Sequence, residues 1–147
     1  MKIWVDADAC PTAIKDILIR VAERTRIPVV FVANQWMRLP ESDVISFVRV
    51  EHGPDIADDK IAEECRTGDL VITADIPLAA RTVEKGVQAL DPRGTLYDQE
   101  NIRQKLSMRD FMDTLRSSGV ETDGPKSFNP KDSSKFANAL DKFIARR

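Results

Sequence analysis

Asp6 and Asp8 stand two residues apart, directly after the apolar triplet Ile3-Trp4-Val5. On an extended chain residues i and i+2 point the same way, so both carboxylates can face one cleft. Asp75 stands two residues past Thr73, at the end of the run Leu70-Val71-Ile72-Thr73, and Asp55, Asp58 and Asp59 crowd the start of a helical segment. Ligands of parallel α/β sheets bind beyond the carboxyl ends of the strands, which is where Asp6, Asp8 and Asp75 fall. Carboxylates gathered in one cleft repel one another, so either some stay protonated or a cation neutralises them. Magnesium and manganese prefer carboxylate and water oxygens and keep several waters. One or two such ions can turn a water into a nucleophile and stabilise the charge that develops on a phosphodiester. The lone histidine, His52, makes a His-rich zinc site impossible and leaves any Ser-His-Asp or Cys-His chemistry dependent on that one residue. Each acid also has a structural use: Asp8, Asp55 and Asp75 are each placed to cap a following helix, an effect of about 0.5–2 kcal/mol. Taken singly, capping is the simpler reading; acids at two strand ends plus an acid-rich helix start favour a shared metal site.

The elements that must position these acids alternate. Ile3 to Val5 reads as a buried strand and Thr12 to Arg26 as a helix with Pro11 near its start. Val29 to Ala33 is apolar throughout, as a strand covered on both faces would be. Val44 to Val50 is a third strand, Asp55 to Arg66 a helix stopped by Gly68, Leu70 to Thr73 a fourth strand, Pro77 to Lys85 a short helix and Val87 to Leu90 a fifth strand. Helices over Arg109–Ser118 and Asp132–Ala145 complete the chain. The alternation implies an α/β domain with a mostly parallel sheet. The connection from Ala33 to Val44 is short for a parallel crossover, so the third strand is either antiparallel or joined irregularly.

The length of 147 residues suits one domain spanning 1–147. With 42% apolar and 31% charged residues the composition is that of an ordinary globular protein. No apolar run approaches the roughly 20 residues needed to cross a bilayer, and the start lacks a signal-peptide apolar region, so no membrane partner is expected. Two cysteines cannot build a disulfide framework, and the expected location is the reducing cytoplasm. The net charge of −2 is a sum over unlike regions: Lys126 to Arg147 holds six basic residues against two acids. This basic loop and helix, from about residue 120, is suited to guiding a phosphate backbone towards an acidic centre.

The succession Asp6-Ala7-Asp8-Ala9-Cys10-Pro11, Asp55-Ile56-Ala57-Asp58-Asp59-Lys60-Ile61, Gly68-Asp69-Leu70-Val71-Ile72-Thr73-Ala74-Asp75-Ile76-Pro77-Leu78-Ala79, Asp91-Pro92-Arg93-Gly94, and Gly124-Pro125 leading to Phe128 and Asp132 resembles the uncharacterised bacterial YaiI/YqxD family over nearly the whole chain. That family is similar to the PIN-like nucleases. The resemblance implies a three-layer α/β/α domain with a five-stranded sheet of order 3-2-1-4-5, which puts the first and fourth strands side by side at the switch point. It further implies a Mg2+- or Mn2+-dependent ribonuclease, with RNA as substrate. The acids of PIN-like enzymes map here onto Asp6, onto Asp58 or Asp59, and onto Asp75 with Thr73. Asp58 is preferred because Ile61 then turns inward; Asp8 is an addition of the YaiI/YqxD family. Near Asp132 the family tends to carry arginines where this chain has Ser133 and Lys135, and lysine lacks arginine's bidentate fork for phosphate.

Of the remaining residues, Lys126, Lys131 and Lys135 are candidate phosphate contacts, and Asn34 and Arg38 follow the second strand towards the same cleft. Trp36 between them reads first as a loop anchor and second as a stacking surface for a base. Arg93 reads as part of a turn, with phosphate contact the weaker alternative. Cys10 and Cys65 read as small buried residues and His52 as a loop residue. Two rival functions remain: a haloacid-dehalogenase-like phosphatase using the Asp6/Asp8 pair as nucleophile and acid, and a non-catalytic metal- and RNA-binding module.

Overall fold

A computed structural model describes residues 1–121 and 127–146. The strands are β1 (Ile3–Asp6), β2 (Val29–Ala33), β3 (Ile45–Arg49), β4 (Leu70–Ile72), β5 (Gln88–Leu90) and β6 (Leu96–Tyr97). The helices are α1 (Thr12–Thr25), α2 (Ile56–Glu64), α3 (Ile76–Glu84), α4 (Ile102–Ser117) and α5 (Pro130–Ala145). They build a sheet of order β3-β2-β1-β4-β5-β6. The expected order of five strands is therefore present, and a sixth short strand extends it. Leu96 and Tyr97 pair antiparallel with Leu90 and Ala89, across the turn at Asp91–Thr95. Two residues give no period to read, which is why the sequence does not betray β6.

Period-two alternation sorts the strand side chains into two cores. Ile3, Val5, Phe31, Ile72 and Leu90 point to one face, where they meet Ile14 and Leu18 of α1 and Phe136 and Leu140 of α5. Trp4, Val30, Val32, Val71 and Ala89 point to the other, against Ile61 of α2 and Leu78 and Val83 of α3, with Ile102 of α4 at the margin. Helices cover both faces, which makes the α/β/α layering. Every residue of β2 is buried, as its unbroken apolar run requires. Ile61 is fully buried, the inward position anticipated for it.

β3 runs parallel to β2 from Val29–Ile45 to Ala33–Arg49. The crossover is thus irregular rather than antiparallel: the segment after Ala33 contains no helix and packs Met37 and Leu39 against the first core instead. Helix ends differ from the sequence reading for local reasons. α2 stops at Glu64 because Cys65 is extended (ψ 150°) and buried; Gly68 lies in the following turn. Asp55 precedes α2 in the left-handed region (φ 64°) and its side chain makes no capping bond, so the cap expected there is absent. α4 begins seven residues before Arg109, since Asn101 and Asp98 organise its start: Asp98 Oδ1 accepts from the amides of Glu100 and Asn101 at 2.9 and 3.1 Å. α5 begins at Pro130, before Asp132, with a reciprocal cap: Asn129 Oδ1 accepts from the Asp132 amide at 3.1 Å and Asp132 Oδ2 from the Asn129 amide at 3.0 Å. No helix among the described residues is long and apolar enough to cross a membrane.

Candidate functional site

The parallel pairing of β1 with β4, from Ile3–Leu70 to Val5–Ile72, sets their carboxyl ends side by side. Asp6 closes β1. Thr73, the residue after β4, is buried and donates its hydroxyl to Asp6 Oδ2 at 2.9 Å. The Asp75 amide donates to the same Thr73 Oγ1 at 3.0 Å, so one hydroxyl ties the two strand ends together. Asp75 does cap α3, its Oδ1 accepting from the Leu78 amide at 3.0 Å, but its charge also reaches Asp58 on α2. Burial and the charges of Asp75 and Asp6 hold the Asp58 carboxyl up to about 7. Burial also raises Asp6, opposed by the Thr73 hydroxyl and reinforced by Asp75 and Asp8.

Asp58 and Asp59 separate cleanly. Asp59 is exposed and takes Arg81 Nη1 at 2.8 Å, while Asp58 feels the charges of Asp75 and Asp6. Sequence reasoning passed over Arg81, which looks like an ordinary exposed helix residue; its charge also reaches Asp58 and Asp55. An exposed pair of this kind is worth about 0–1 kcal/mol. Asp59→Asn should therefore shift stability by no more than that in thermal melting, and a larger loss would show that Asp59 carries more than its ion pair.

Asp8 is exposed and does not cap α1, whose first turn has no side-chain cap. Its carboxylate instead reaches across to the loop after β2, accepting from the amides of Asn34 at 2.8 Å and Gln35 at 3.4 Å. Asn34 thus enters the site through its backbone, and its carbonyl accepts from Arg49 Nε at 3.4 Å. Asn34, Arg49, Val50, Glu51 and His52 line a cavity of about 300 Å3 beside this loop. Trp36 is 70% exposed and so does not anchor the loop; Met37 and Leu39 do. Arg38 is exposed.

Past β5 the motif Asp91-Pro92-Arg93-Gly94 proves structural. Asp91 Oδ1 accepts from the Arg93 amide at 2.6 Å, and burial and the Asp91 charge push the Tyr97 phenol up to about 12. Arg93 Nη1 pairs with Asp132 Oδ2 at 2.9 Å and its guanidinium lies 5.9 Å from the Phe128 ring centre. Arg93 is thereby a clamp on the start of α5, beyond the simple turn read from sequence. Lys131 and Lys135 are exposed on the first turns of α5; Lys126 lies outside the described residues. Cys10 and Cys65 are free and buried, and burial pushes the Cys10 thiol up to about 12, too high for a nucleophile. Asp69, which a phosphatase reading would need near Asp6, sits at the opposite end of the sheet, where it accepts from Trp4 Nε1 at 3.1 Å and the Lys2 amide at 3.0 Å.

The site therefore gathers Asp6, Thr73, Asp75 and Asp58, with Asp8 at one margin holding a loop. Among the described residues no lysine or arginine is ion-paired with any of the four aspartates, and no group of three or more Asp, Glu, His or Cys side chains is placed to hold a metal ion by itself. Magnesium and manganese fit such an open arrangement, because they commonly take one or two carboxylates and fill the remaining positions with water and substrate oxygens. The carboxylate charge that raises Asp58 is charge that a divalent ion would compensate.

Fold and site together define an α/β/α protein with a carboxylate cleft at the carboxyl edge of a mostly parallel sheet. The chain belongs to the family described as uncharacterized BCR, YaiI/YqxD family, which it matches over residues 4–146. It is 59% identical over 145 residues to UPF0178 protein Shewmr7_1635 of Shewanella sp. (strain MR-7), covering 99% of this chain and 95% of that protein. It is 56% identical over 146 residues to a UPF0178 protein of Hahella chejuensis (strain KCTC 2396), covering 99% and 97%. No solved structure matches it.

Proposed function

We propose that this protein is a Mg2+- or Mn2+-dependent, PIN-like ribonuclease that hydrolyses phosphodiester bonds. The observation that carries the reading is the Thr73 hydroxyl that ties the ends of β1 and β4 together, holding Asp6 by its carboxylate and Asp75 by its amide, with Asp58 near enough for their charges to raise it. Three acids from three different segments are brought to one cleft, and among the described residues none of them is ion-paired with a lysine or arginine. That arrangement costs folding energy and finds its use in holding a cation. Asp6, Asp58 and Asp75 would hold the metal, directly or through water, and Asp8 would order the adjoining loop. The ion supplies an activated water and charge stabilisation at the phosphate. Thr73 fixes the rotamer of Asp6 and the backbone at Asp75, so both carboxylates are oriented before substrate arrives. Lys131 and Lys135, with Lys126, would meet the strand's phosphates. Asn34 would border the substrate path.

The test is cleavage of RNA by the purified chain with manganese. Asp6→Asn and Asp75→Asn should each lower the rate by about 100-fold or more, the scale of losing a preorganised charge-stabilising group. Asparagine keeps the cap on α3, so the Asp75 variant should retain its fold by circular dichroism. Undiminished cleavage in both variants would overturn the assignment.

A further inference from the structure

The protein has two tryptophans, used in opposite ways. Trp4 is buried and donates its indole N–H to Asp69 Oδ2 at 3.1 Å. Trp36 is 70% exposed, although an indole is the side chain with most to gain from burial. Its backbone is well fixed. The two residues before it give their amides to Asp8, and the residue after it, Met37, packs against the first core. A large flat ring is thus held out in solvent on a pinned loop, two residues from the acid cleft's own Asp8 contact at Asn34. Beside it Arg38 is exposed, and the cavity bordered by Asn34, Arg49 and His52 offers hydrogen-bonding edges.

Resting on the ribonuclease reading, we propose that Trp36 is a stacking platform for one unpaired base of the substrate, adjacent to the phosphate held at the acid cleft, and that the substrate is therefore single-stranded RNA. Every base has a π-face, so such a platform binds without demanding a sequence. A base inside a duplex is already stacked on its neighbours and cannot present that face, which makes the platform selective for single strands. Arg49, whose Nε donates to the Asn34 carbonyl, adds positive charge to the same loop, as does the exposed Arg38 within it.

The test measures binding of a fluorescein-labelled single-stranded oligoadenylate to the full chain by anisotropy, with calcium in place of manganese. Trp36→Ala should weaken binding by about fivefold to a hundredfold, the range of one base stack, and should raise KM for RNA cleavage by a similar factor. Trp36→Phe should recover most of the affinity, and binding of a duplex RNA should not change in either variant. Unchanged affinity and KM in Trp36→Ala, while the wild-type chain binds and cleaves RNA, would overturn this inference alone. A wild-type chain that neither binds nor cleaves RNA would overturn the ribonuclease reading with it. If Trp36→Ala weakened single strand and duplex equally, the ring would be a general contact and the single-strand assignment would fall.

Discussion

In metal-free protein, Asp58→Asn is expected to raise stability at pH 8 by about 1–2 kcal/mol and to leave it nearly unchanged at pH 4. The Asp58 carboxyl is held up to about 7 in the folded chain, from an ordinary value of 3.8. Between those two values the folded state keeps a proton that the unfolded state has released, so stability falls as pH rises through that window and is flat above it. The whole contribution is present at low pH and lost near neutrality, the reverse of a salt-bridged carboxylate. Asp58 is only half-buried and solvent screens its neighbours' charges, which holds the effect to this size. Asparagine keeps the size and polarity of the side chain without bringing a charge. Urea unfolding of EDTA-treated wild type and variant at several pH values reads the difference. Parallel profiles with no gain above pH 7 would show that Asp58 carries no unfavourable charge. The same substitution should lower manganese-dependent cleavage, so stability and activity should move in opposite directions.

The second large effect is expected at Gly94. Its φ of +96° is left-handed, and a Cβ there would come within 2.8 Å of the Lys135 carbonyl carbon and Cβ, and 2.9 Å of its carbonyl oxygen. The obstacle is mostly helix backbone, fixed by the reciprocal cap at Asn129 and Asp132 and by the Arg93–Asp132 pair. Gly94→Ala combines an unfavourable backbone conformation with overpacking, together about 2–4 kcal/mol of lost stability by urea denaturation. Because Gly94 touches Lys135 itself, relief of the clash should also move the basic first turns of α5 and weaken RNA binding. A loss below 1 kcal/mol would mean that α5 does not sit against this turn as tightly as described.

Much of the site is legible in the sequence because it depends on strand ends. Asp6 and Asp75 follow short apolar runs, and once β1 and β4 are neighbours their acids must meet. Choosing between Asp58 and Asp59 is also readable, since Ile61 fixes which side of α2 turns inward. What a local pattern cannot carry is contact across the fold. Asp8 looks like a helix cap but is drawn to amides of residues 34 and 35, which only the β1–β2 pairing brings close. Arg93 looks like a turn residue because its partner Asp132 lies far along the chain. Trp36 looks like a loop anchor because exposed tryptophan is uncommon, and only the packing of Met37 and Leu39 reveals that the loop is already anchored without it. The parallel direction of β3 depends on those same two side chains substituting for a crossover helix.

The most direct measurement of the carboxylate cleft as a metal centre is anomalous scattering from crystals of the full chain grown with manganese. The expected result is a peak within ligating distance of Asp6 and Asp75, with Asp58 turned to the ion or its waters. Its loss in Asp75→Asn crystals should follow. A cleft without a peak at millimolar manganese would contradict the assignment.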